Sequence, residues 1–343
     1  MSNVLAKIRE YAIKLSPLIA FVLPLALIYL LNPADPYLNL SGQDSFNFMW
    51  KGRTFQLFFI WLVALEFILG WETIKPQIPK SKARIAAVAT VLALPTVYVV
   101  LENYVGLNGA ISNWFQQNGV EFYYSMPIAI EYLVFAVIFG LTALLFFGKK
   151  GLAGFSLPAL FLALVGIIYT IDNVFPRGEF TPFQLLVPTT ANLAANVLNV
   201  WGYTTLPGTD IASGMPTLQV SGPLGSAQFA IAWPCAGIES LLIFTAVALL
   251  FLKRMHISWK AKIGFFAVGA AVTYFINVLR IATIFIIAIQ SGRLDSDAVK
   301  MFHFYYGPLY AMAWIVSYPL IILLSVGLWQ KLRKPQSKQL NPA

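Results

Sequence analysis

The chain has 343 residues, 59% of them hydrophobic and only 11% charged, and its mean hydropathy is positive, so it belongs to the membrane class rather than among soluble domains. The net charge of +9 does not point to nucleic acid, because the lysines and arginines cluster in short stretches between apolar runs, as in cytoplasmic loops. A single cysteine excludes a disulfide framework, and with only two histidines no metal or other cofactor is expected.

The first apolar run follows Lys7, Arg9 and Lys14. It is longer than a signal-peptide core and lacks a small-residue cleavage site, which predicts a retained first span. Crossing hydrocarbon takes about 20 apolar residues in a helix. Eight runs qualify, at roughly 13–31, 54–71, 85–101, 126–147, 152–171, 236–252, 263–290 and 304–328. No glycine-rich phosphate loop interrupts them, and no internal repeat relates them. The expected fold is therefore an all-α polytopic membrane protein of about eight transmembrane helices.

Basic residues orient the spans. With both termini in the cytoplasm, the inner stretches hold Lys7, Arg9, Lys14, Lys75, Lys80, Lys82, Arg84, Lys149, Lys150, Lys253, Arg254, Lys260, Lys262, Lys331, Arg333, Lys334 and Lys338, which is 17 of the 23. Lys51, Arg53, Arg177, Arg293 and Lys300 fall outside, and Arg280 lies within a span. This asymmetry predicts the topology.

Residues 183–201 are uncharged, but Pro188, Thr189, Thr190, Asn192, Asn196 and Asn199 make them too polar to span. An amphipathic helix on the outer surface fits better. Next come alternating stretches at 217–220 and 228–232, separated by Ser221-Gly222-Pro223-Leu224-Gly225-Ser226, which predict a small extracytoplasmic hairpin. Four regions result: a five-span region at 1–175, the helix and hairpin at 176–234, a three-span core at 235–330, and a basic tail at 331–343. The outer segments 102–124 and 172–233 are placed to select a substrate.

Chemistry is best sought where the bilayer makes polar groups expensive. Cys235, in Trp233-Pro234-Cys235-Ala236-Gly237-Ile238-Glu239, opens the sixth span at its outer end. Pro234 suits a helix start, which puts Cys235 in a first turn where unpaired N–H groups favour the thiolate. Arg280 lies 18 residues past Lys262, roughly 27 Å of helical rise, and so in the outer half of the membrane. Asn277 precedes it by three residues on the same face. An arginine at such depth costs at least ~2.5 kcal/mol near the centre and needs a partner, for which Glu239 and Glu131 are candidates. His303 begins the eighth span, again at the outer face.

Each residue also has a plainer reading. A lone cysteine is commonly a small buried hydrophobe. His303 alone is compatible with an interfacial residue of no role, and His256 with a solvated loop residue. Glu66, inner, and Glu131, outer, read as structural partners or substrate contacts. The joint placement of thiol, guanidinium and imidazole on three successive helices favours a site.

These residues carry a resemblance. Pro234-Cys235-Ala236-Gly237-Ile238, then Asn277-x-x-Arg280-Ile281, then His303 resemble, in order and spacing, the exosortase/archaeosortase family of membrane-embedded cysteine transpeptidases. The match covers roughly residues 190–325, and histidine at the third position resembles the histidine-bearing branch. The resemblance implies Cys235 as nucleophile, Arg280 as oxyanion or substrate stabiliser and His303 as acid/base, with Asn277 and Glu239 supporting. It implies as partners secreted proteins ending in a short motif, a hydrophobic helix and a basic cluster. These are cleaved on the outer side and, in at least some systems, passed to a membrane lipid. A transporter or flippase using Arg280 in its pathway is the main alternative, and an assembly factor or receptor without chemistry is a third.

Overall fold

All eight apolar runs form helices, and the joints between them follow proline, glycine and charge. The computed structural model describes residues 2–31, 54–77, 81–175, 185–211 and 214–333. Lys51, Arg53, Lys80, Arg177, Lys334 and Lys338, used above for orientation, lie outside the described residues. The chain divides into two compact units, Met1–Pro182 and Phe183–Ala343.

The first unit holds α1 (Ser2–Leu31), α2 (Thr54–Leu69), α3 (Lys82–Tyr104), α4 (Leu107–Gln117), α5 (Met126–Gly154) and α6 (Ser156–Val174). Gly148, in a left-handed conformation at φ 68°, kinks α5 just before Lys149 and Lys150. Aromatic edges knit the core: Phe59 and Phe139 meet at 4.9 Å between ring centroids and 90° between planes, and Phe21 touches both. Glu131 is fully buried and accepts from Gln56 Nε2 at 2.6 Å, a polar contact that answers the cost of removing a carboxyl from water. Glu66 is also fully buried in this unit.

The second unit begins with α7 (Leu186–Val200), the expected amphipathic helix. It buries Val187, Thr190, Ala191, Ala194, Ala195 and Leu198 at helical spacing, and small alanines let neighbouring backbones approach closely. The expected hairpin is a three-stranded antiparallel meander: β1 (Thr204–Thr209), β2 (Pro216–Gly222) and β3 (Gly225–Ala230), in that order. The extra strand is β1, whose Thr-Thr-Leu-Pro-Gly-Thr sequence carries the two residues that argue most against a strand. Leu218, Val220 and Ala227 form its buried face, and Phe229 meets Phe285 at 5.1 Å.

Three long helices follow: α8 (Ile238–Arg254), α9 (Trp259–Ser291) and, after the short α10 (Asp297–Met301), α11 (Gly307–Arg333). Ser258 caps α9 by accepting from the Ala261 N–H. Where α8, α9 and α11 meet, Gly269 has no side chain, and a Cβ there would lie 2.4 Å from the edge of the Phe244 ring and 2.5 Å from that of Tyr318. Among the described residues six helices are long and apolar enough to cross a membrane, including α9 and most of α11. α2 and α8, at 16 and 17 residues, are shorter, roughly 25 Å against ~30 Å of hydrocarbon. The helical path into α8 starts earlier, with a turn at Trp233–Ala236.

Candidate active site

Cys235 does not sit in the first turn of α8. It belongs to a separate 3-10 turn, Trp233–Ala236, entered from extended Ala232 and closed by the Cys235 N–H donating to the Ala232 carbonyl at 2.9 Å. Gly237 then adopts φ 91°, a left-handed conformation that breaks the turn from α8 and suits glycine. The absence of a Cβ also admits Asn277, whose Nδ2 would lie 3.0 Å from that atom. Asn277 uses the space to donate to the Cys235 carbonyl at 2.7 Å. The Cys235 backbone is thus pinned from α9.

A second support comes from α7. Thr190, fully buried, donates its one hydroxyl hydrogen to the Leu186 carbonyl at 2.8 Å. Tyr274 OH, 2.7 Å away, is left to donate to Thr190. The Ala236 carbonyl lies 3.5 Å from the same hydroxyl, at the limit of an interaction. Thr190 and Tyr274 had no motif to announce them.

His303 is delivered by an unusual piece of backbone. Residues Phe302–Tyr306 form a π turn between α10 and α11, in which the Gly307 N–H bonds to the Phe302 carbonyl. The next residue, Pro308, has no N–H, so the His303 carbonyl lacks the donor five residues on that a continued π turn would supply. A carbonyl in that position needs another donor. Arg280 Nη2 provides it at 2.8 Å. Gly307 makes this approach possible, since a Cβ there would lie 2.7 Å from Arg280 Nε and 2.9 Å from Cδ. That Nε is buried and has no hydrogen-bond partner among the described residues.

The side chains then converge. Cys235 Sγ and His303 Nε2 are 3.9 Å apart, within reach of a sulfur hydrogen bond. Burial pushes the Cys235 thiol up from its ordinary pKa; the Arg280 charge opposes this and Glu239 adds to it. Burial, with Arg280 second, pushes His303 down to about 4. The expected thiolate at a helix N-terminus is therefore replaced by a neutral thiol facing a neutral imidazole at pH 7. Two facts account for the reversal: α8 starts three residues later than Cys235, and desolvation outweighs the guanidinium.

The structure thus brings Cys235, Arg280, His303 and Asn277 together, with Glu239 half-buried in the first turn of α8 and acting on the thiol through its charge. His256 is exposed in the α8–α9 loop. Gly237 stands in the sequence motif without a stated role, and Gly307 and Pro308 have none there, although the pair Gly307-Pro308 just after a histidine is a readable signal of a broken helix. A family model described as transmembrane exosortase matches residues 49–331, most of the chain and the whole of this site. No curated protein and no solved structure gives a significant match.

Proposed function

The chain belongs to the transmembrane exosortase family of membrane-embedded protein-sorting enzymes, and from that premise we propose that it is a cysteine transpeptidase with Cys235 as its nucleophile. The observation that carries the reading is the 3.9 Å approach of Cys235 Sγ to His303 Nε2, with Arg280 bonded to the same His303 segment.

In this reading His303, neutral at rest, takes the thiol proton as Sγ attacks the carbonyl carbon of the substrate's scissile peptide. The transfer is uphill in the empty site, because the thiol holds its proton tightly and the imidazole accepts one weakly. It becomes favourable as negative charge passes from sulfur to the carbonyl oxygen, where the Arg280 guanidinium stabilises it. The C–N bond then breaks, the proton on His303 goes to the leaving amine, and a thioester to Cys235 remains. An acceptor amine or water attacks the thioester and gives its proton to His303; the C–S bond breaks, and His303 returns the proton to the Cys235 sulfur. An amine-bearing lipid as acceptor yields a lipid-linked protein, and water yields a hydrolysed one. Asn277 holds the Cys235 backbone in place throughout, and Glu239 tempers the local positive charge.

The substrates are exported proteins ending in a short motif, a hydrophobic helix and a basic cluster. The excess of basic residues in the inner stretches supports cytoplasmic termini and a site on the outer face. A role for Arg280 in a transport pathway is less well supported, because its guanidinium is engaged by a backbone carbonyl next to the thiol. The test is mass spectrometry of exported proteins from cells with intact Cys235 and with Cys235→Ala. Loss of C-terminal helices only in the former is expected; identical C-termini in both would overturn the reading.

A further inference from the structure

The meander that leads into Cys235 has two edges of different character. The Ile231 N–H bonds to the Pro216 carbonyl at 2.8 Å, which sets the phase of the β2–β3 ladder. In an antiparallel pair, residues alternate between facing the partner strand and facing away. Residues 227, 229 and 231 therefore turn their backbone groups toward β2, and Ser226, Gln228 and Ala230 turn theirs to the open side. These three residues are exposed, and among the described residues no strand pairs with them there.

The opposite edge follows the same phase. Residues 204, 206 and 208 of β1 face β2, while Thr205, Pro207 and Thr209 face outward. Pro207 thus removes a donor from the middle of that edge, a common way of blunting it against unwanted pairing. Pro207 has no counterpart in β3. The unblunted edge is the one that runs, through Ile231 and extended Ala232, into the turn carrying Cys235.

We infer that the outward edge of β3 is the docking strand for the substrate: the extended segment preceding the hydrophobic helix of an exported protein pairs with Ser226, Gln228 and Ala230 and is led to Cys235. This rests on the reading of the site as a peptide-cleaving one. The direction follows from the chain's own path. β3 passes through a turn into the apolar helix α8, and a substrate whose extended motif precedes its membrane helix takes the same route when it lies parallel to β3. Strand addition supplies affinity through main-chain bonds, which are indifferent to side chains, and leaves selectivity to alternate side chains of the peptide.

The test uses the full-length protein in membrane vesicles and an exported protein shown to lose its C-terminal helix in a Cys235-dependent way. Gln228→Pro and Ala230→Pro each delete an outward N–H without touching a β2–β3 ladder bond. Both are expected to slow processing tenfold or more, while alkylation of Cys235 by a small maleimide changes less than twofold. Thr205→Pro, on the other edge, is expected to stay within twofold of the unaltered protein. Normal processing by both β3 variants would overturn the inference. A second measurement holds even where proline disturbs folding: Gln228→Cys with Cys235→Ser, oxidised against substrates carrying one cysteine at successive positions. Disulfides at alternate substrate positions are expected, as cross-strand neighbours require; cross-linking at no position, or equally at all, would overturn it. Failure of the unaltered enzyme to cleave any exported protein would instead bring down the reading of the site, and the docking strand with it.

Discussion

Arg280 Nη2 donates to the backbone carbonyl of His303 at 2.8 Å, and Pro308, five residues on, has no N–H to offer that carbonyl. One side chain thereby fixes the backbone that carries the proposed base and keeps a positive charge beside the proposed nucleophile. For Arg280→Lys both functions suffer, since a flexible ammonium lacks the planar fork that reaches the carbonyl and the site at once. We expect kcat/KM for sorting-signal cleavage to fall by about 10²-fold or more, in line with losing one preorganised donor. Near-normal cleavage by this variant would reduce Arg280 to a bystander.

Gly307 is the space into which Arg280 fits. A Cβ on residue 307 would lie 2.7 Å from Arg280 Nε and 2.9 Å from the Phe302 carbonyl oxygen, closer than real Cβ contacts. Overpacking of this kind costs on the order of 1–3 kcal/mol. Gly307→Ala should lower the melting temperature in detergent and cut cleavage by about tenfold or more. Thermal melts and cleavage rates both unchanged would mean that the α11 entry yields freely.

Asn277→Ala removes the donor that bonds the Cys235 carbonyl at 2.7 Å and leaves the turn less constrained. A fully buried carbonyl without its partner costs about 1–3 kcal/mol, and this part-buried one costs less. Because Asn277 acts on the backbone of the proposed nucleophile, kcat should fall about tenfold while KM holds. A rise in KM with kcat intact would make it a substrate contact.

Much of this was open to sequence reasoning. Long apolar runs with at most one charge each had to be helices in a membrane chain, and Cys235, Arg280 and His303 could be aligned by counting residues from basic loops. What escaped depends on backbone detail. β1 hid behind Pro207 and Gly208, which weigh against a strand unless it lies at an edge. Thr190 and Tyr274 meet across 84 residues, a separation that periodicity cannot bridge. The protonation of Cys235 was misjudged because helix-end electrostatics was readable from Pro234 while burial was not. The role of Gly307-Pro308 was written in the chain but needed the position of Arg280 to give it meaning.

The pH dependence follows from His303. Its pKa is depressed to about 4 by burial and by Arg280, and as a base it works only when neutral. The acid limb of kcat/KM should therefore lie near pH 4 rather than near 6.5. The same depression makes the folded state bind fewer protons than the unfolded one between these values. Its contribution to stability is full above pH 6.5 and is lost progressively as pH falls toward 4. An acid limb at 6.5 in membrane vesicles would mean that His303 is solvated during turnover.

Sidedness is the remaining expectation, and the single cysteine makes it measurable. With both termini inside, 17 of 23 basic residues fall on the inner stretches, which is the ground for the outward-facing site proposed here. A membrane-impermeant maleimide should label Cys235 in right-side-out vesicles, and Cys235→Ala should abolish the label. Labelling should be slow, because only the thiolate reacts and burial raises the thiol's pKa. It should quicken as pH rises, since more thiolate forms. Labelling confined to inside-out vesicles would invert the topology while leaving the 3.9 Å pairing of Cys235 with His303 intact, so orientation and chemistry can fail separately.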